Sequence, residues 1–368
     1  MNHAPHVVMV SKRLLLTLLC CAAILCCADA QTTSPQPTAT PCTTTVFPIA
    51  GTFVRTMGHV RSGLVLSGGG LLQAPTHSVL AWIRARVPGS GRAGNLVVLR
   101  ASGGRDYSDE FYKQSRLASV QEILIPPCAV RSEVDRAAPY VERADAVLFS
   151  GGDQANYVKW KGSRLVAAVR RAYSHAVIGG GSAGLAIQGE IVFDSVSDDR
   201  LSDKDVATPD AVKDPYEPTI SFTTGFFSWP PMRNSMTDTH FARRNRFGRL
   251  AAFMARALHD HLVAGRTMYG VAVDEGAALL VEPDGTATLT QRVRGSDGYV
   301  PKGAYLLEGK RPGDLARGKP LRYSVRVSHL WRSGQRYQLL QHRGDGEHYS
   351  VTVDGGTPSM YSRNPYIK

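Results

Sequence analysis

The feature that most restricts this chain is Gly180-Gly181-Ser182-Ala183-Gly184, entered from the apolar run Val177-Ile178-Gly179. The order strand, G-x-S-x-G, short helix (residues 185–189) predicts a tight turn whose glycines are needed because a Cβ on either side would block close backbone approach. Such a turn lifts a hydroxyl above a sheet edge. It also aims the N–H of Ala183, at the helix start, toward negative charge developing on a bound carbonyl. The same glycines would equally suit a phosphate-binding turn or plain close packing.

The surrounding pattern predicts an α/β fold. Short apolar runs rich in Val, Ile and Leu at 63–66, 95–99, 122–125, 146–149 and 176–178 read as buried strands. Helical segments are expected between them at 72–87, 109–120, 132–143 and 162–173. Alternation at this spacing argues for a mostly parallel central sheet with helices on both faces, a three-layer sandwich. Residues 194–231 form a long acidic, Pro-containing connection. An amphipathic helix is expected at 247–262. Beyond it, strand-like runs at 269–273, 277–281, 323–327, 337–340 and 349–353 are separated by Asp-Gly and Gly-Gly turns, which predicts a β-rich C-terminal part.

Residues 1–30 read as a secretory signal peptide. Lys12 and Arg13 precede an apolar run at 14–27, short for a bilayer span, and Ala28-Asp29-Ala30 suits cleavage. Residues 31–45 are a Thr/Pro-rich linker. The expected divisions are therefore 1–30 leader, 31–45 linker, 46–285 catalytic domain and 286–368 β-rich extension. Of the six cysteines, only Cys42 and Cys128 lie beyond the leader; an exported chain could join them in a disulfide or keep two thiols. The protein is expected to be secreted or periplasmic, with no membrane attachment after leader cleavage. Its net charge of +12 permits anionic partners, yet the basic residues are scattered and no nucleic-acid motif accompanies them.

A serine hydroxyl needs a base to take its proton, and the base needs an orienting carboxylate. His240 lies in the densest polar context, Asp238-Thr239-His240-Phe241-Ala242-Arg243-Arg244-Asn245-Arg246-Phe247-Gly248-Arg249. Glu275 ends the expected strand from Gly270, where open α/β sheets place their sites. Phe149-Ser150-Gly151-Gly152-Asp153-Gln154 is a second strand-to-glycine turn, one unit earlier. It would set the N–H groups of Gly152 and Asp153 beside Ser182 as an oxyanion hole, while Gln154 could bond substrate and Asp153 cap a helix. In a helix after His240, Arg246 and Arg249 share a face suited to forking a carboxylate, with Asp238 as a guanidinium partner. His259-Asp260-His261 is a poor metal site because residues two apart on a helix face apart. Ser67-Gly68-Gly69-Gly70 fails the dinucleotide spacing at Gln73. Neither cofactor nor metal is expected.

In this order, G-G-D-Q, G-G-x-S-A-G, D-x-H-F-x-x-R-x-R-x-G-R-L and G-x-x-x-D-E resemble cyanophycinase and the other S51 serine peptidases, over residues 63–281. The resemblance implies a class I glutamine amidotransferase-like fold, with Ser182 as nucleophile, His240 as general base and acid, and Glu275 as orienting acid. It further implies that Gln154, Asp238, Arg244, Arg246 and Arg249 line the substrate pocket. Thr239 stands where these enzymes carry glutamine, and Gly181 where threonine is usual. The implied substrate is cyanophycin, a poly-aspartate bearing arginine on each side-chain carboxyl, cut to β-Asp-Arg, or related aspartyl and isoaspartyl peptides. A homodimer is a further implication. Two other readings stand beside this one. In the first, an α/β-hydrolase esterase pairs Ser182 with Glu275 or Asp297 and with His342 or His348; in the second, the protein is an inactive binder on the same fold.

Overall fold

A computed structural model describes residues 42–69, 71, 76–196 and 205–366. The expected leader and residues 31–41 of the expected linker lie outside them. The described part belongs to one compact unit, built on two sheets.

In the larger sheet, five strands run parallel in the spatial order Ser119–Leu124, Asn95–Arg100, Ala146–Phe149, Val177–Gly181, Gly63–Ser67. Side chains alternate across a strand, so each strand must supply apolar groups to both faces. Leu64 and Leu66 accordingly enter one core with Leu99, Phe149, Val141 and Leu165, while Val65 enters another with Leu80, Ile83, Leu96 and Phe111. Helices Thr76–Arg84 and Ser108–Gln114 supply the second of these cores, and Arg164–Ala172 the first. Ser163 caps Arg164–Ala172, its hydroxyl accepting from Val166 N–H at 3.1 Å. The expected α/β layering is the one found.

Two expected helices are shorter or broken. The segment read as helix at 109–120 stops at Gln114, because residues 119–124 pair in parallel register with Asn95–Arg100. The segment at 132–143 divides into Arg131–Asp135 and Ala138–Glu142, with Pro139 in the first turn of the second. In both cases tertiary pairing or proline overrides a helical period.

A second sheet holds part of the β-rich C-terminal region together with strands that precede it in the chain. Its order is Glu347–Asp354, Arg322–Leu330, Ala304–Lys310, Thr267–Val273, Ser235–Asp238, Ile191–Phe193, Phe222–Thr224. Val271, Val273 and Leu306 face the first core; Met236, Ala272 and Leu307 face a third, built on helix Phe247–His259. The chain after 285 divides between the sheets, with Thr286–Gln291 and Arg336–Gln338 extending the larger one antiparallel. The C-terminal tail returns to helix Phe247–His259, where the phenol oxygens of Tyr366 and Tyr361 accept from Phe247 N–H (2.8 Å) and Gly248 N–H (3.2 Å). They supply the cap that Arg246, at the N-cap position, does not. Cys42 and Cys128 are joined in a disulfide that ties the N-terminal arm to the body.

Candidate active site

Parallel neighbours run the chain in one direction, so residues that follow them arrive side by side. Ser182 follows Val177–Gly181, which lies between Ala146–Phe149 and Gly63–Ser67 with Phe149 opposite Gly180 and Ser67 opposite Gly181. In the second sheet, Ser235–Asp238 and Thr267–Val273 are parallel, with Asp238 opposite Ala272. His240 and Glu275 therefore leave adjacent strand ends together.

Ser182 sits at φ 54°, ψ −119°, a strained conformation for a residue with a Cβ, held by its surroundings. Its N–H donates to Ser67 C=O at 3.1 Å, and its C=O starts helix Ala183–Ala186. A Cβ at Gly184 would collide with the Phe149 carbonyl, so the turn closes only with glycine there.

His240 is buried and also at positive φ, 45°. Its N–H donates to Gly68 C=O at 2.8 Å, and a Cβ at Gly69 would strike its ring. Gly68 and Gly69, to which the sequence pattern assigns no role, thus form the seat of the imidazole. His240 Nε2 lies 2.9 Å from Ser182 Oγ, and Nδ1 lies 2.6 Å from Glu275 Oε2. The three side chains form one hydrogen-bonded series. Burial and the nearby Arg244 guanidinium push the imidazole pKa below its ordinary value, against the hydrogen bond and charge of Glu275. The neutral ring, able to accept a proton, is favoured. His342 instead stacks on Tyr269, and His348 bonds Ser328 Oγ at 2.9 Å.

A cleft of about 320 Å³ opens beside Ser182. It is lined by Gly152, Asp153, Gln154, Ala183, Asp238, Thr239, Arg244, Arg246 and Arg249, among others, so the oxyanion and pocket candidates singled out from sequence converge on it. Asp153 is spent as an N-cap, accepting from Ala155 N–H at 2.9 Å. Asp238 has the guanidinium partner expected of it, but Arg246 and Arg249 are not open forks. Arg249 is fully enclosed and forks Asp238 (Nε–Oδ2 2.8 Å, Nη2–Oδ1 2.6 Å), with Nη1 on Asp205 at 2.5 Å. Arg246 bonds Asp205 and the carbonyl and hydroxyl of Thr239, the last two at 3.0 Å. Both guanidinium forks are therefore engaged by the protein's own groups rather than left open to a ligand. Burial alone would raise the carboxyl pKa of Asp205, but Arg249 and Arg246 outweigh it and hold it below the usual range. Arg244 is half-exposed, its nearest carboxylate among the described residues being Asp205 at 3.9 Å.

Three groups escaped the sequence reading. Asp205 lies in the long 194–231 connection, whose acidity was visible but whose reach was not. Asp274 is completely buried and accepts from Ala242 N–H and Arg243 N–H at 3.1 Å, Tyr299 O–H at 2.5 Å and Lys302 N–H at 2.8 Å. Arg243 was passed over in favour of its neighbours in the same arginine cluster. Among the described residues, no three His, Cys, Asp or Glu side chains form a group able to hold a metal ion.

No family model matches the chain, and no curated protein does. Similar solved structures include two peptidase structures. A peptidase from an acI-B1 actinobacterium is 17% identical, over 72% of this chain and 98% of that one, with a TM-score of 0.44. A putative peptidase E protein from Listeria monocytogenes EGD-e is 10% identical, over 63% and 99%, with a TM-score of 0.38. Likeness this distant assigns no chemistry to the present chain.

Proposed function

We propose that this protein is an exported serine-type peptidase of the cyanophycinase kind, cleaving amide bonds of aspartyl or isoaspartyl peptides. The observation that carries the reading is the unbroken Ser182–His240–Glu275 hydrogen-bonded series at the ends of parallel strands, opening on a cleft lined with arginine. His240 Nε2 takes the proton as Ser182 Oγ attacks the carbonyl carbon, and Glu275 steadies the imidazolium. The tetrahedral oxyanion is met by N–H groups of Gly152, Asp153 and Ala183. His240 then protonates the leaving amine, and water, deprotonated by the same ring, releases the acyl group.

With Arg246 and Arg249 already paired, Arg244 is the guanidinium with room for a substrate carboxylate. The disulfide agrees with an oxidising compartment. The test is incubation of protein lacking residues 1–30 with cyanophycin and, separately, with aspartyl and isoaspartyl dipeptides. Release of β-Asp-Arg or free aspartate by wild type, lost in Ser182→Ala, is the expected result. No turnover of any of these substrates overturns the specificity. A serine that also fails to react with a fluorophosphonate overturns the enzyme reading and favours a binding protein.

A further inference from the structure

Glu275 has two oxygens, and only Oε2 faces His240. A carboxylate on a flexible side chain orients an imidazole well only if its other oxygen is also fixed, since otherwise rotation about its last torsion breaks the contact. Oε1 is held by Arg243, whose Nη1 lies 2.6 Å away, with Arg292 Nη2 more distant at 3.8 Å. Arg243 is itself gripped from a segment far along the chain. Its Nη1 is 2.6 Å from Asp297 Oδ2, and its guanidinium carbon lies 4.9 Å from the centre of the Tyr299 ring. Tyr299 in turn donates to Asp274, the residue preceding Glu275, and Asp274 accepts the N–H of Arg243. The loop thus closes on both residues it aligns.

We propose that Arg243 is a positioning residue for the Ser182–His240–Glu275 series, its guanidinium held by Asp297 and Tyr299 so that Glu275 keeps one oxygen on the imidazole. This rests on the reading of Ser182 as nucleophile. It assigns the β-rich C-terminal part a task at the site. The exposed loop around Asp297, outside the stretch that resembles the peptidases, becomes part of what aligns the acid.

The charges also fix a sign. His240 faces Ser182, Glu275, Arg244 and Arg246; Glu275 faces His240, Arg243 and Arg292; Arg243 faces Asp297 and Tyr299. Arg243 offsets part of the Glu275 charge felt by the imidazole. Without it, the bare carboxylate holds a proton on His240 more firmly, and the base is free only at higher pH.

The probe is an alkyl fluorophosphonate, applied to the full chain after leader removal. Ser182 Oγ bonds phosphorus as the P–F bond breaks, the proton passing to His240 and fluoride leaving. The second-order rate of labelling at Ser182 is followed by mass spectrometry from about pH 5 to about pH 9. Arg243→Gln is expected to label about tenfold more slowly at neutral pH, with the inflection of the rate–pH curve raised by about half a unit. Arg243→Lys, which keeps the charge, is expected to return the inflection to its wild-type position with only part of the rate. An Arg243→Gln rate and inflection equal to wild type overturn the proposal. So does slower labelling with an unmoved inflection, which is the mark of a merely structural role. Wild type that does not label at all overturns the nucleophile reading and the role of Arg243 with it, whereas labelled wild type confines any failure to Arg243.

Discussion

The two halves of the site are held by opposite means. Ser182 is fixed by backbone contact: Phe149, Gly180 and Gly184 approach too closely for side chains, and the turn carries no ionised group. Glu275 is fixed by charge, through Arg243, and His240, beyond its backbone seat at Gly68 and Gly69, stands among Asp274, which accepts the N–H groups that follow it, and the Asp205–Arg249–Asp238 cluster. Steric clamps hold regardless of pH and salt, whereas ion pairs respond to both. The lesson is that the nucleophile end of such a site should be brittle to added atoms, and the base end to altered charge.

The strongest way to break this division is at the reacting atoms. Ser182→Ala and His240→Ala should each lower turnover, or labelling for the histidine, at least about a thousandfold while leaving the melting temperature close to wild type. Equal loss from His342→Ala would defeat the assignment of the base. Next in size are the two clamps. Gly184→Ala, which drives a Cβ into the Phe149 carbonyl, and Asp274→Ala, which strands four buried or half-buried donors, should each cost about 3 kcal/mol or more in denaturant titrations. Only the Asp274 variant should change its sensitivity to salt. If both respond alike, the contrast between the halves is lost.

Smaller still is the disulfide. Cys42 and Cys128 are 86 residues apart, and reduction should remove about 2–4 kcal/mol without altering the pH dependence of labelling at Ser182. The smallest effect sharpens the electrostatic half. The imidazole is pushed down by burial and by Arg244, so the rate should fall on acidification only below the ordinary histidine value of about 6.5. Arg244→Gln takes away one cause of that lowering, so the inflection should move up. A downward movement would mean that Arg244 does not act on His240.

What the chain announces locally was readable. The parallel strands at 63–67, 95–100, 146–149 and 177–181 lie over the apolar runs expected at 63–66, 95–99, 146–149 and 176–178, because a strand covered on both faces has no polar side. The glycine turn around Ser182 was visible because its spacing is a local steric requirement. Ser182 and Glu275 could be singled out because each ends an expected strand, and His240 because of the dense polar context around it. The second sheet was hidden, since its strands alternate with loops and come from 191 to 354, and only pairing registers distinguish it from an extension of the first. The roles of Gly68 and Gly69 were hidden for the same reason: their partner is 170 or so residues away.

The amino-acid order alone therefore determined the layered α/β class and the turn that presents Ser182, since both follow from backbone sterics and the apolar period of neighbouring residues. Folding decided which charges meet. Asp205 reaches Arg246 and Arg249, and Asp297 reaches Arg243, across 41 to 54 positions of chain. Coulomb attraction depends on distance in space and on exclusion of water, and neither is written in the spacing of residues along a chain.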